Sequence, residues 1–208
     1  MLPGIILAAG DSMRMGSPKA LLPGPDGRPF VNRIVDTLRE AGVVELVVVT
    51  GRDHDALVKV LNDNPRNWPP TIARNPDPSR GQLSSLWIGM DAVVRPGTDG
   101  ILVTLVDVPM VAVSTVGRVV SAWQRSRAPI VRPAIGDRHG HPVIFARDVF
   151  DALRRAPIEN GAKAVVRMHE HDLLDVPVED EGCLLDVDTP DDYERLRGAP
   201  PTASKERL

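Results

Sequence analysis

Residues 4–22 read Gly4-Ile5-Ile6-Leu7-Ala8-Ala9-Gly10-Asp11-Ser12-Met13-Arg14-Met15-Gly16-Ser17-Pro18-Lys19-Ala20-Leu21-Leu22, an apolar strand that runs straight into a glycine-bounded basic loop. The run 5–9 is short, apolar and of the buried-strand type. In the loop, Gly10 and Gly16 let backbone N–H groups approach an anion closely and Ser12 adds a hydroxyl. Arg14 and Lys19 can neutralise charge that grows on phosphate oxygens during transfer. This is the composition of a polyphosphate site. Gly10 and Gly16 stand too far apart for Gly-x-x-x-x-Gly-Lys-Ser/Thr, Pro18 removes an N–H just before Lys19, and no Gly-x-Gly-x-x-Gly occurs, so a P-loop ATPase and a nicotinamide dehydrogenase are disfavoured. A lone loop of this kind could equally be an ordinary βα turn with surface cations, so the decision passes to the rest of the chain.

With 208 residues and 42% hydrophobic content, the chain is long enough for one substantial core and short for two. Aromatics make up only 3%, so the core must come from Val, Leu, Ile and Ala, as where strands are covered by helices on both faces. The net charge of −3 and the lack of a basic stripe interleaved with aromatics argue against a nucleic-acid partner. Cys183 is the only cysteine, which excludes an internal disulfide and a multi-cysteine zinc site. It sits in an apolar run and reads as a buried structural thiol. The N-terminus has no basic leader and no apolar run approaches ~20 residues, so neither secretion nor membrane insertion is supported. A soluble cytoplasmic protein is expected.

Apolar strands alternate with amphipathic helices, the pattern of a single-domain α/β fold with a mostly parallel, Rossmann-like sheet and helices on both faces. Strands are predicted at 5–9, 45–50, 100–106, 130–132, 142–145 and 183–187. Helices are predicted at 31–41, 56–61, 84–93, 116–123, 149–155, 162–169 and after Thr189-Pro190, where Thr is an N-cap and Pro the first helical residue. Residues 62–70 read as an Asn/Pro-rich loop. Residues 1–197 form the domain, and the polar, proline-containing tail 198–208 is expected to be disordered.

In open α/β sheets ligands bind outside the carboxyl ends of the strands, and Gly10, Gly51, Asp107 and Asp188 all fall at predicted strand ends. Two carboxylates converging beside a phosphate loop suit Mg²⁺, which takes a few carboxylates and otherwise keeps water and substrate oxygens. Asp107 could instead cap a loop before Pro109, and Asp188 could cap the last helix. Asp186, Asp191 and Asp192 are assigned to solubility and the helix dipole. Ser84 and Ser85 could donate hydroxyls to a base, ribose or phosphate, although helix capping is the simpler reading. The pairs His139/His141 and His169/His171 lack a third nitrogen or sulfur ligand, so zinc is not indicated.

The segment Leu7-Ala8-Ala9-Gly10-x-Ser12-x-Arg14-Met15-Gly16-x-x-Lys19-x-Leu21-Leu22 resembles the signature of nucleotidyltransferases related to molybdenum cofactor cytidylyltransferase. The same family pattern recurs in order in Asn75-Pro76 with Gly81-Gln82-Leu83-Ser84-Ser85-Leu86, Leu105-Val106-Asp107-Val108-Pro109, Gly140-His141-Pro142-Val143-Ile144-Phe145 and Asp186-Val187-Asp188-Thr189-Pro190. The resemblance implies a fold of the nucleotide-diphospho-sugar transferase type. It also implies a Mg²⁺-dependent enzyme that transfers CMP from CTP, or another nucleoside triphosphate, to a molybdopterin-type pterin monophosphate and releases pyrophosphate. A molybdenum hydroxylase would be a possible partner.

On that reading Arg14 and Lys19 are catalytic. Leu7, Ala8, Ala9, Gly10, Ser12, Gly16, Gly51, Asn75, Ser84 and Ser85 bind nucleotide, and Asp107 and Asp188 hold the metal. Pro109, Gly140, His141 and Pro142 contact the acceptor. Guanylyl-transferring relatives usually carry Leu-Ala-Gly-Gly where this chain has Leu-Ala-Ala-Gly, so the Ala9 methyl favours a pyrimidine. A nucleotidyltransferase acting on a sugar or polyol phosphate, and a non-catalytic cofactor carrier or insertion factor, remain as alternatives.

Overall fold

A computed structural model describes residues 1–10, 15, 17–64 and 68–198. In chain order the elements are β1 (Gly4–Ala8), α1 (Phe30–Glu40), β2 (Leu46–Thr50), α2 (His54–Asn62), β3 (Thr71–Arg74), α3 (Gln82–Val93), β4 (Gly100–Leu105) and α4 (Val113–Ser126). They continue as β5 (Ile130–Ile135), β6 (Arg138–His139), β7 (Val143–Ala146), α5 (Phe150–Arg155), α6 (Lys163–Met168), β8 (Leu174–Pro177) and α7 (Pro190–Gly198). One eight-stranded sheet runs in the order β3-β2-β1-β4-β7-β5-β6, with β8 added alongside β5. The β3, β2, β1 and β4 ribbon is wholly parallel, as is β5–β8, while β7 and β6 pair antiparallel.

Alternation along each central strand divides the core into two layers. On β1, Ile6 and Ala8 face one layer and Ile5 and Leu7 the other; on β4, Leu102 faces the first and Ile101 and Val103 the second. The first layer is roofed by α1, α2, α4 and α7 through Val31, Ile34, Leu38, Leu57, Val119 and Leu196. The second is roofed by α3, α5 and α6 through Leu83, Leu86, Met90, Leu153 and Val165. Trp87 packs against this second layer and donates Nε1–H to the Leu153 carbonyl at 2.8 Å.

Three expectations need correction. Residues 183–187 form no strand: Glu181–Cys183 is a 3-10 turn and the segment to Asp188 is irregular. The late strand is β8, nine residues earlier, where Leu174-Asp175-Val176-Pro177 pairs with β5 in register Val131↔Leu174 to Ala134↔Pro177. The Asn/Pro-rich loop ends at Pro70 and gives way to a strand, β3, which forms the sheet edge and so shows little of the apolar signature of a buried strand. Gly198, expected as the first residue of the tail, instead closes α7, and 199–208 lie outside the described residues.

Candidate active site

The carboxyl ends of β1 and β4 open into a cavity of about 280 Å³ walled by Leu7, Ala8, Ala9, Gly10, Lys19, Gln82, Ser85, Leu105 and Asp107. The first turn of α3 forms part of the same wall, which adds a partial positive charge suited to an anion. A second cavity of about 500 Å³ adjoins it, lined among others by Arg132, Gly140, His141, Phe145, Lys163 and Asp186. The two share walls at Leu7, Gln82 and Leu105.

Lys19 joins the two aspartates. Its Nζ forms an ion pair and hydrogen bond with Asp188 Oδ1 and stands 3.8 Å from Asp107 Oδ2. Asp107 follows β4, but no strand delivers Asp188. The Val187 N–H donates to the Asp107 carbonyl at 2.8 Å, which ties the irregular segment to the end of β4. A reciprocal cap then fixes Asp188 in place. Asp192 Oδ2 accepts from the Asp188 N–H at 3.3 Å, the Thr189 N–H at 2.9 Å and the Thr189 hydroxyl at 2.7 Å, while Thr189 Oγ1 accepts from the Asp192 N–H at 3.2 Å. These bonds hold the Asp192 carboxyl below its ordinary range, the Thr189 hydroxyl bond foremost.

Burial pushes the Asp107 carboxyl above its ordinary range; the Lys19 ammonium opposes the shift, and Asp186 and Asp188 add to it. Asp107 Oδ1 is buried and has no hydrogen-bond partner among the described residues. An orphaned, desolvated carboxylate oxygen in an acidic cluster lacks positive charge, and a divalent cation fits that deficit. Among the described residues no group of three or more metal-ligating side chains is assembled; Mg²⁺ commonly completes its shell with substrate phosphate oxygens and water.

Asn75 is only 3% exposed, and its Nδ2 donates to Ser84 Oγ at 3.0 Å and Ser85 Oγ at 2.9 Å while its Oδ1 accepts from the Asp77 N–H at 3.0 Å. Neither serine is the N-cap of α3, a place taken by Gly81. The capping reading is therefore replaced by a buried bracket that ties the end of β3 to the first turn of α3. Of this trio only Ser85 reaches the first cavity; Gly51 and Asn75 line a separate cleft of about 140 Å³. Gly51 is needed for close approach, since a Cβ there would stand 2.6 Å from the Ala9 carbonyl oxygen.

Gly140 and His141 belong to the second cavity. A Cβ on Gly140 would lie 2.2 Å from the Cys183 carbonyl oxygen, and the His141 N–H donates to that same oxygen at 2.9 Å. Burial holds the His141 imidazole down at about 4, with a backbone hydrogen bond to Val103 opposing and Lys163 reinforcing the shift. The ring is therefore neutral near pH 7. Pro142 is buried beside it and lines neither cavity; Pro109 is also buried, lines neither, and accepts from Arg33 Nε at 3.4 Å through its carbonyl. Cys183 is buried with its thiol pushed up to about 11, mainly by that burial. Ser12, Arg14 and Gly16 lie outside the described residues.

Sequence reading passed over Gln82, which lines both cavities, and the basic wall of Arg132, Lys163 and Arg167. Gln82 stood inside a quoted motif but carries no charge to draw the eye.

A lysine shared by two aspartates beside two adjoining cavities at the carboxyl ends of β1 and β4 fits a nucleotidyltransferase. The chain belongs to the MobA-like NTP transferase domain family, whose model matches residues 4–173. It is 34% identical to nicotine blue oxidoreductase of Paenarthrobacter nicotinovorans over 93% of this chain and 95% of that protein. It is 28% identical to a probable molybdenum cofactor guanylyltransferase of Rhodopirellula baltica (92% and 89% covered) and 28% identical to molybdenum cofactor cytidylyltransferase of Escherichia coli (91% and 92%). The crystal structure of Rv0371c from Mycobacterium tuberculosis in complex with manganese superposes with a TM-score of 0.78 at 30% identity, covering 95% of this chain and 98% of that one. Among the described residues no helix is long and apolar enough to cross a membrane.

Proposed function

We propose that this nucleotidyltransferase moves CMP from CTP to a pterin monophosphate of the molybdopterin type. The observation that carries the reading is Lys19 held between Asp107 and Asp188 at the mouth of the first cavity. An oxygen of the acceptor phosphate attacks the α-phosphorus, a new P–O–P bond forms, and the bond to the bridging oxygen of the β-phosphate breaks with its electron pair leaving on pyrophosphate. Lys19, together with Arg14, would neutralise charge on the transferring and leaving phosphates. Asp107 and Asp188 would hold Mg²⁺, which when bound supplies further charge neutralisation at the same oxygens. No group of this chain needs to become covalently linked to substrate.

Ala9 lines the first cavity and supports the pyrimidine choice. Competition between CTP and GTP, followed by pyrophosphate release with Mg²⁺ and saturating acceptor, should favour CTP in kcat/KM. Ala9→Gly should narrow that preference about ten-fold, as when a contact of methyl size is removed. Equal use of both triphosphates by the unsubstituted protein would overturn the assignment of the base.

A further inference from the structure

The second cavity is basic on one wall. Lys163 and Arg167, four residues apart on α6, share a helix face, and both line the cavity with Ala162 and Val166. Among the described residues neither side chain forms a hydrogen bond or an ion pair. Arg132, which also lines this cavity, by contrast gives Nε–H to Asp175 Oδ1 at 2.6 Å. Like charges at this helical spacing repel, a cost that an anion bound between them would remove.

The position of Lys163 is more specific still. Its ammonium acts electrostatically on His141 in the second cavity and on Asp186, and Asp186 in turn lies in the field of Lys19 and Asp188. The cavity that Lys163 lines is the one that shares Leu7, Gln82 and Leu105 with the nucleotide cavity. A phosphate arriving there meets the Asp107, Asp186 and Asp188 carboxylates, which would repel a dianion unless local cations screen them.

We propose that Lys163, with Arg167 one turn further along α6, binds the phosphate monoester of the acceptor in the second cavity and presents its oxygen to the nucleotide α-phosphorus. This rests on the nucleotidyl-transfer reading for the fate of the phosphate but not for its binding. The apolar floor made by Leu86, Val103 and Phe145 would then take the ring of the acceptor.

The test separates binding from turnover. Metal-free pterin monophosphate, its dephosphorylated form and inorganic phosphate are titrated calorimetrically into the full chain without nucleotide, then into Lys163→Gln, Arg167→Gln and the charge-keeping Lys163→Arg. The expected result is that the phosphorylated pterin binds at least ten-fold tighter than the dephosphorylated one. Lys163→Gln should abolish that difference, Arg167→Gln reduce it, and Lys163→Arg retain most of it. Inorganic phosphate should compete with the phosphorylated pterin in the unsubstituted protein and in Lys163→Arg, but not in Lys163→Gln. In turnover, Lys163→Gln should raise the KM for acceptor at least ten-fold and leave the KM for CTP unchanged. Both side chains are exposed on a short surface helix, so a thermal melt should match the unsubstituted protein. Equal binding of the two pterin forms, or Lys163→Gln binding that matches the unsubstituted protein, overturns the proposal. Phosphate-dependent pterin binding without any pyrophosphate release would retain it and reject the transfer reaction instead.

Discussion

Replacing Gly140 by alanine tests how the second cavity is joined to the segment that carries Asp188. A Cβ at this position would lie 2.2 Å from the Cys183 carbonyl oxygen, 2.8 Å from its carbonyl carbon and 3.0 Å from Leu184 Cδ2. Two of these are backbone atoms, so relief requires the main chain to part by about 1 Å before ordinary contact is restored. The bond from the His141 N–H to Cys183 is the first to stretch. Overpacking costs about 1–3 kcal/mol and the weakened hydrogen bond about 1 kcal/mol, so destabilisation of about 2–4 kcal/mol is expected, a fall in Tm of about 5–15 °C for a chain of this size. The segment pushed away leads to Asp188, and a displacement of about 1 Å at a positioning group costs on the order of 10²-fold in turnover. Gly10→Ala is the control, because no described residue lies within 4 Å of its Cβ position. It should melt like the unsubstituted protein while the KM for the triphosphate rises. The assays are a thermal melt and steady-state pyrophosphate release. A Gly140→Ala variant with unchanged Tm and kinetics, or a Gly10→Ala variant that melts equally early, would refute the reasoning.

Asp107→Asn and Asp188→Asn should each cut turnover on the order of 10²-fold or more at limiting Mg²⁺, and Lys19→Ala should lower kcat more than it raises the KM for CTP; near-normal rates in all three would contradict the placement of charge at this site. Folding raises the Asp107 carboxyl, so its ionised form works against the fold at neutral pH, and Asp107→Asn should not melt earlier than the unsubstituted protein at pH 7. His141 has the opposite consequence with pH. Its protonation is suppressed in the fold from 6.5 to about 4, so the unfolded chain binds the extra proton between those values and stability is lost as pH falls through that window. The loss is at most about 3 kcal/mol, and urea titrations of His141→Gln should show a shallower decline from pH 6.5 to 4; parallel declines would reject the buried neutral ring.

The elements that could be read from sequence are those whose side chains are buried by simple periodicity. Val31, Ile34, Val35 and Leu38 mark α1 because a helix covering a sheet repeats its apolar contacts every three or four residues. The run 101–106 marks β4 because a central strand covered by helices on both sides is apolar on both faces. Edge strands escaped, since β3 and β8 carry Thr71, Arg74, Asp175 and Pro177 and look like loops until their partners are known. Asp188 comes to lie beside Lys19 for a reason the sequence does not show. A backbone bond to Asp107 and the Thr189–Asp192 cap bring it to the site, whereas the expected strand does not exist. Asn75, Ser84 and Ser85 were legible as a group through their spacing, but only the fold reveals that they spend their hydrogen bonds largely on one another.

The central claim is that this chain joins a nucleoside monophosphate to a phosphorylated acceptor, and a single-turnover experiment with CTP labelled at the α-phosphate tests it most directly. With Mg²⁺ and metal-free pterin monophosphate present, the label should move into a dinucleotide in step with pyrophosphate release, and removal of either the metal or the acceptor should stop both. Label that stays in CTP, or appears only as free CMP, would contradict the account and direct attention to the redox chemistry for which the 34%-identical relative is named.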